Sequence, residues 1–98
     1  MKPRRLPLLA AVLSLSAQAQ NAMPPDVARF VERRDLCDHF RGEEPYDAER
    51  RKFLEESMRQ FCTGTDSQLK ALKSKYKAEP KVLSKLNEYE SQIEATGK

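Results

Sequence analysis

The sequence predicts a small all-α domain of four short helices, packed as a bundle and stapled by one disulfide between Cys37 and Cys62. Apolar residues recur at helical spacing in four segments, and no segment alternates apolar and polar residues as a half-buried strand does. The two cysteines are the only ones in a chain of 98 residues. A lone pair in an exported protein usually forms a disulfide.

Residues 1–19 are typical of a cleaved export signal. Three basic residues precede an apolar run of twelve, and Ala17-Gln18-Ala19 supplies the small-x-small pattern that a signal peptidase recognises. We expect cleavage after Ala19, with Ala22 as the alternative, and one domain over residues 20–98. The run is shorter than the roughly 20 residues of a membrane-spanning helix, so no stable membrane anchor is expected.

The formal net charge of +3 belongs to this signal, because residues 20–98 carry 15 basic and 15 acidic side chains. A neutral domain does not suit a nucleic-acid-binding protein, and the length leaves no room for a multidomain enzyme. The bacterial style of the signal predicts a periplasmic or secreted protein. The Arg4-Arg5 pair leaves the twin-arginine route open beside ordinary secretion.

The first two helices are predicted over about residues 26–40 and 47–62. Asp26 and Asp47 can cap them by accepting backbone N–H bonds, and Gly42 and Gly64 can end them in a left-handed conformation. The expected apolar face of the first helix is Val27, Phe30, Val31 and Cys37, with Phe40 at its margin. That of the second is Phe53, Leu54, Met58, Phe61 and Cys62.

The third helix is predicted to begin at Thr65, which has the capping-box spacing with Gln68. Pro80 interrupts it and suits the first turn of a fourth helix, which we expect to continue up to Gly97. The apolar stripe of the third helix is Leu69, Leu72 and Tyr76. That of the fourth is Val82, Leu86, Tyr89 and Ile93.

The disulfide constrains the topology, because both cysteines lie near helix C-termini. A tight hairpin would leave the sulfurs far apart, whereas a disulfide needs Cα atoms less than about 7 Å apart. We therefore expect the link from Arg41 to Tyr46, here called the strap, to run extended, so that helix two folds back and ends beside Cys37. The bond would also consume both thiols and remove a cysteine nucleophile.

The densest group of chemically active side chains lies in and around the strap and includes the single histidine. One interpretation is a zinc or copper site formed by His39, Glu43 and Asp35. Another is acid–base catalysis by His39 with a carboxylate, although no nucleophile accompanies it. The favoured interpretation is an ordered loop for partner recognition, with no catalytic, cofactor-binding or metal residue. In it, Glu43, Glu44 and Asp47 are expected to pair with Arg50, Arg51 or Arg41. Its candidate contact residues are His39, Arg41, Glu43, Glu44 and Tyr46.

The second half of the domain is rich in lysine. Lys70, Lys73 and Lys77 fall on one helical stripe, which could contact an anionic surface weakly, although a solvated face is the plainer interpretation. No aromatic residues interleave these lysines as a stacking platform for nucleic-acid bases would require.

Two resemblances accompany these observations. The run from Cys37 through Tyr46, with its Cys-Asp-His-Phe-Arg-Gly-Glu-Glu motif, followed by residues 62–66, resembles small exported proteobacterial proteins of uncharacterised function. More weakly, Cys62, Asp66, Leu69, Leu72 and Tyr76 are similar in spacing to the helical, disulfide-bonded domain of exported lysozyme inhibitors. Neither resemblance carries a functional residue across.

The sequence as a whole predicts a small exported, non-enzymatic binding or inhibitor module. We expect its partner to be a periplasmic or extracellular protein, with no nucleic acid and no cofactor. The alternative is a metal-binding periplasmic protein that uses His39 and the nearby carboxylates.

Overall fold

The computed structural model describes residues 22–94, so the predicted signal lies outside the described residues. This part of the chain is helical and contains no strand, which confirms the all-α class. The predicted count of four short helices is slightly off, since three helices of eleven residues or more are followed by a single segment of seven. The elements are α1 (Pro25–Arg41), α2 (Ala48–Cys62), α3 (Thr65–Lys75) and α4 (Pro80–Leu86).

The last helix is much shorter than predicted. It ends at Leu86 rather than near Gly97, and residues 87–94, here called the tail, continue without helix. Tyr89 still packs on the core, where its ring and the Phe30 ring meet edge to face with their centroids 5.4 Å apart. The tail thus places Tyr89 on the core without a helical backbone.

The core lies between α1 on one side and α3 with α4 on the other. Most side chains predicted for the three apolar faces are buried there, and the half-buried Val31, Tyr76 and Tyr89 pack against them. Burying such side chains is the main favourable contribution to folding. The fully buried cluster is Val27, Phe30, Leu69, Leu72, Val82 and Leu86.

The predicted disulfide topology is confirmed. Cys37 and Cys62 are bonded with their Cα atoms 5.0 Å apart. The helices run antiparallel, since Arg33, before Cys37, donates to the carbonyl of Thr63 at 2.6 Å, and Phe40, after it, packs on Phe53. At 1.5 Å per residue, α2 therefore begins about 15 Å beyond the end of α1.

The strap after Arg41, together with Asp47 and the first two turns of α2, forms this projecting part, which we call the arm (residues 42–54). Asp47 caps α2 as predicted, because its Oδ1 accepts the backbone N–H of Arg50 at 2.7 Å. Gly42 is not left-handed, at φ −86°, so the reason predicted for its position was wrong. Gly64 does adopt a left-handed φ of 85°, a conformation that glycine enters without the steric cost of a Cβ atom.

The tail provides the helix cap that the sequence predicted at Thr65. The Glu94 carboxylate accepts the backbone N–H groups of Gly64 and Asp66, both at 2.8 Å. In return, the Asp66 carboxylate accepts the N–H groups of Ile93 and Glu94 at 3.0 and 2.9 Å. The predicted capping box is wrong, because Thr65 is buried and its hydroxyl donates to the carbonyl of Cys62 at 2.8 Å.

A buried arginine joins α1, α3 and the tail. The Arg34 side chain is 0% exposed, and its Nη2 donates to the carbonyl of Glu90 at 2.6 Å. The same nitrogen lies 3.5 Å from Asp66 Oδ1, and Nε lies 3.6 Å from Asp38 Oδ1. Its Nε and Nη1 lack hydrogen-bond partners. Such a buried cation is tolerated only beside carboxylates and carbonyls like these.

The start of α1 is tied to the end of α3 through Asp26. Asp26 is not the N-cap residue of α1, a position that Pro24 holds, although its Oδ1 does accept a backbone N–H of the first turn, that of Val27, at 2.9 Å. Its carboxylate also accepts hydrogen bonds from Lys75 Nζ at 2.7 Å and the Tyr76 hydroxyl at 2.8 Å. These bonds, that of Lys75 first, lower the pKa of Asp26 from its usual value to about 2.

We expect Asp26→Asn to lower the urea midpoint of unfolding at pH 6. An aspartate in the unfolded chain titrates near pH 3.9. The folded carboxylate has the lower pKa, so its contribution is complete above about pH 4 and is lost as the pH falls towards about 2. The gap between wild type and variant should therefore close over that interval. The control is Glu32→Gln, an exposed residue of α1. A gap that stayed constant from pH 6 to pH 2 would contradict the assignment.

Candidate partner-binding arm

The strap is held to both neighbouring helices through Glu43. Arg50 of α2 donates to Glu43 Oε1 at 2.6 Å, and His39 Nε2 of α1 lies 3.3 Å from Glu43 Oε2. The hydrogen bond from Arg50, followed by the charges of Arg50 and His39, lowers the pKa of Glu43. This carboxylate therefore keeps its charge, and with it the anchoring contact, into mildly acidic conditions.

Arg41 faces the tail and not the strap. Its guanidinium donates to the Glu90 carboxylate at 2.6 Å and to Asp38 at 3.1 Å. The sequence placed Arg41 among the contact residues of the strap. The structure instead gives it the role of fastening the tail to the end of α1.

Glu44 and Tyr46 point outward, as expected of contact residues. Tyr46 is 79% exposed and is the most exposed large hydrophobic side chain among residues 22–94. Phe53 lies beside it and is 46% exposed, although the sequence had placed it on the apolar face of α2. Tyr46 and Phe53 line a shallow hollow of about 200 Å³ together with Asp47, Glu49 and Arg50.

Phe53 is held in place from two sides. The Arg50 guanidinium lies over its ring at 4.7 Å from the centroid, and its ring packs against the edge of Phe40 with centroids 5.7 Å apart. Phe40 also stacks on Phe61. Aromatic pairs and cation–π contacts each contribute about 1 kcal/mol. The exposed Phe53 ring, next to Tyr46, thus rests on an ordered base.

The end of the arm is acidic. Glu44, Asp47 and Glu49 are exposed, and none of them takes part in an ion pair within residues 22–94. The nearby Arg50 is neutralised by Glu43 at 2.6 Å. A surface that meets this end therefore encounters two aromatic rings and three carboxylates without an ion-pair partner. The exposed cations Arg51 and Lys52, which also form no ion pair within residues 22–94, follow on α2.

The three donors of the metal-site interpretation do not come together. His39 and Glu43 are adjacent, but the Asp35 carboxylate accepts the Tyr89 hydroxyl at 2.8 Å. Burial and this bond raise the pKa of Tyr89. Between residues 22 and 94 no group of three or more His, Cys, Asp or Glu side chains is arranged to hold a metal ion.

The lysine stripe is only partly formed. Lys70 and Lys73 lie on α3, whereas Lys77 lies beyond the end of that helix at Lys75. Lys70 and Lys73 line a hollow of about 480 Å³ between α3 and the tail. The predicted continuous stripe of three lysines on one helix is therefore wrong.

No helix in the described range 22–94 has the length and apolar character needed to cross a membrane. Comparisons with models of protein families, with curated proteins and with solved structures found no match to this chain.

Proposed function

We propose that the protein is an exported, non-enzymatic binding module that contacts a periplasmic or extracellular protein through the end of its arm. It would act as an inhibitor wherever that partner is an enzyme. The observation that carries the proposal is Tyr46, a large aromatic side chain that is 79% exposed on an anchored segment. Exposed aromatic residues of this kind are over-represented among the residues that dominate binding energy in protein interfaces.

The order of the arm supports this proposal. Glu43 joins the strap to α1 and α2, Asp47 caps α2, and the disulfide fixes the far end of α2 on α1. A contact surface that is ordered before binding loses less conformational entropy when the complex forms. The arm also projects about 15 Å beyond α1, which suits insertion into a concave site on a partner.

The disulfide supports the compartment. Cys37 and Cys62 are bonded, and residues 22–94 contain no free cysteine. Structural disulfides persist in oxidising compartments such as the periplasm and the extracellular medium. Together with the signal-like residues 1–19, this supports export to one of those places.

A photo-cross-linking amino acid at position 46 tests the proposal in cells that export the chain. We expect benzoylphenylalanine in place of Tyr46 to give one discrete protein adduct. The same group at Ala78, an exposed position between α3 and α4, is the matched control and should give none. Phe53→Ala should weaken the adduct at position 46. Equal adducts at positions 46 and 78, or none at position 46, would contradict the proposal.

A further inference from the structure

The hollow between α3 and the tail has the size and the apolar floor of a small-molecule site. Its volume of about 480 Å³ lies within the usual range for pockets that hold small ligands. Leu69 lies at its floor and is 1% exposed. No residue of the arm lines this hollow, so it is separate from the candidate contact surface.

Two neighbouring lysines give the hollow its charge. Lys70 and Lys73 both line it and lie three residues apart on α3, a spacing that places side chains next to each other on one helix face. Neither lysine takes part in an ion pair within residues 22–94, whereas Lys75 of the same helix pairs with Asp26. Like charges at this spacing repel each other, so an anion bound between Lys70 and Lys73 would relieve the repulsion.

Asp66 is the one acidic side chain that lines the hollow, and it does not neutralise these lysines. Its carboxylate accepts two backbone N–H groups of the tail, those of Ile93 and Glu94. It also lies 3.5 Å from Nη2 of the buried Arg34. The charge of Asp66 is therefore matched by a buried cation and by two peptide dipoles.

The acidic side chains of the tail are engaged as well. Their partners are a lysine of α4, an arginine of α1 and two backbone N–H groups at the start of α3. These three acids are Glu88, Glu90 and Glu94. Within the described part of the chain, every acid of α3 and of the tail thus has a partner other than Lys70 and Lys73.

Neutral hydrogen-bond donors complete the lining. Ser67 on α3 and Ser91 on the tail supply hydroxyl groups, and Gln92 supplies an amide. A phosphate monoester carries nearly two negative charges at neutral pH and presents three strong acceptor oxygens. It can therefore match two ammonium groups and several neutral donors at once, which a carboxylate with one charge and two oxygens does less fully.

We propose that this hollow binds a phosphate monoester carried on a compact apolar group. The ammonium groups of Lys70 and Lys73 hold the phosphate oxygens, the hydroxyls of Ser67 and Ser91 donate to them, and the apolar group rests on Leu69. Charge-assisted hydrogen bonds of this kind are stronger than those between neutral groups. The site goes beyond the proposed function of the arm and does not depend on it.

Titration of the purified, ¹⁵N-labelled chain with phenyl phosphate tests the site. We expect saturable shifts of the amide signals around the hollow, at residues 67, 70, 73, 91 and 92. Inorganic phosphate, which lacks the apolar group, and benzoate, which lacks the third oxygen, should each bind severalfold more weakly. Benzoate that bound as tightly as phenyl phosphate would overturn the choice of phosphate. Shifts spread over all exposed lysines would overturn the site itself.

Three variants with the same loss of charge separate a site from general attraction. Lys70→Gln and Lys73→Gln should each weaken the binding of phenyl phosphate about fivefold. Lys81→Gln removes an exposed lysine of α4 that lines a different hollow, so it is the matched control and should leave the affinity unchanged. Equal weakening in all three variants would refute the proposal, because affinity would then follow net charge alone. Unchanged amide signals in α1 and α2 would show that each variant is folded.

A phosphate monoester can belong to a lipid headgroup or to a soluble compound, and flotation with vesicles distinguishes these sources. The probe is a phosphatidylcholine vesicle that contains phosphatidic acid, a lipid phosphate monoester. Binding that is lost in Lys73→Gln but kept in Lys81→Gln would support the site and assign its ligand to a lipid. Binding of phenyl phosphate without binding to the vesicles would support the site and assign it to a soluble ester. Failure of both probes would refute the site and leave the proposed function of the arm standing.

Discussion

Replacing Arg34 with alanine is expected to lower the free energy of unfolding by about 3 kcal/mol, because it removes one partner from a buried charge network. The guanidinium is fully buried and donates to the carbonyl of Glu90. Without it, that carbonyl loses its partner, and the Asp66 carboxylate, 18% exposed, loses the nearest cation. Small domains are stable by only about 5–15 kcal/mol, so chemical denaturation should detect the change readily.

The location of the damage is a more specific test than its size. Arg34 donates a hydrogen bond to the carbonyl of Glu90, and the Asp66 carboxylate accepts the N–H groups of Ile93 and Glu94. We therefore expect hydrogen exchange in Arg34→Ala to accelerate first at residues 93 and 94 and at the start of α3. Arg29→Ala, at an exposed position of the same helix, is the matched control. Uniform acceleration over α1 and α2 would instead indicate a general loss of packing.

The regular part of the fold follows from local patterns. The apolar spacing of α1 and α3, the Asp47 cap and the two helix C-termini that carry cysteines are all visible within a few residues of one another. They suffice to predict the helices and, through the geometric limit on a disulfide, the extended strap. The one distant contact that this reasoning used is the disulfide, which could be predicted because the chain has only two cysteines.

The tail could not be predicted in the same way. Tyr89 and Ile93 continue the helical spacing of Leu86, so the pattern alone indicated a longer helix. In the structure, side chains of distant residues hydrogen-bond the tail backbone instead. Arg34 donates to the carbonyl of Glu90, and the Asp66 carboxylate accepts two backbone N–H groups. Arg34 did leave one signal, since it lies on the apolar face of α1, four residues after Phe30 and three before Cys37.

The candidate contact surface was predicted in part. Pairing of the strap acids with the arginines of α2 was expected, and Glu43 with Arg50 confirms it. Arg41 was assigned to the strap because local patterns could not show its partner, since Glu90 lies 49 positions further along the chain. Phe53 was assigned to the core because helical spacing cannot show that α2 extends past the end of α1. Phe40, near that end, covers only one side of the Phe53 ring, which stays 46% exposed.

Removing the disulfide is expected to lower the free energy of unfolding by about 3 kcal/mol in the chain-entropy model. The bond closes a loop with a sequence separation of 25 residues and is buried between α1 and α2. We expect the loss to fall mainly on the arm. The α1, α3 and α4 side chains form the buried core cluster without any residue of α2. Apart from the contacts of Arg33 and Phe40 with α2, the disulfide is what joins α2 to α1, so its loss should affect α2 more than the other helices.

The double variant Cys37→Ala with Cys62→Ala separates this effect from ordinary core damage. Its hydrogen exchange should rise over residues 48–62, while α1, α3 and α4 keep most of their protection. Leu69→Ala, which removes a fully buried core side chain, is the matched comparison. It should lower the free energy of unfolding by a similar amount, about 2–5 kcal/mol, but hydrogen exchange should rise first in α3 and α4. If both variants opened the same residues, α2 would belong to one cooperative unit with the core, and the arm would not be held by the disulfide. If they open different residues, the disulfide maintains the position of α2, and α2 in turn positions the strap.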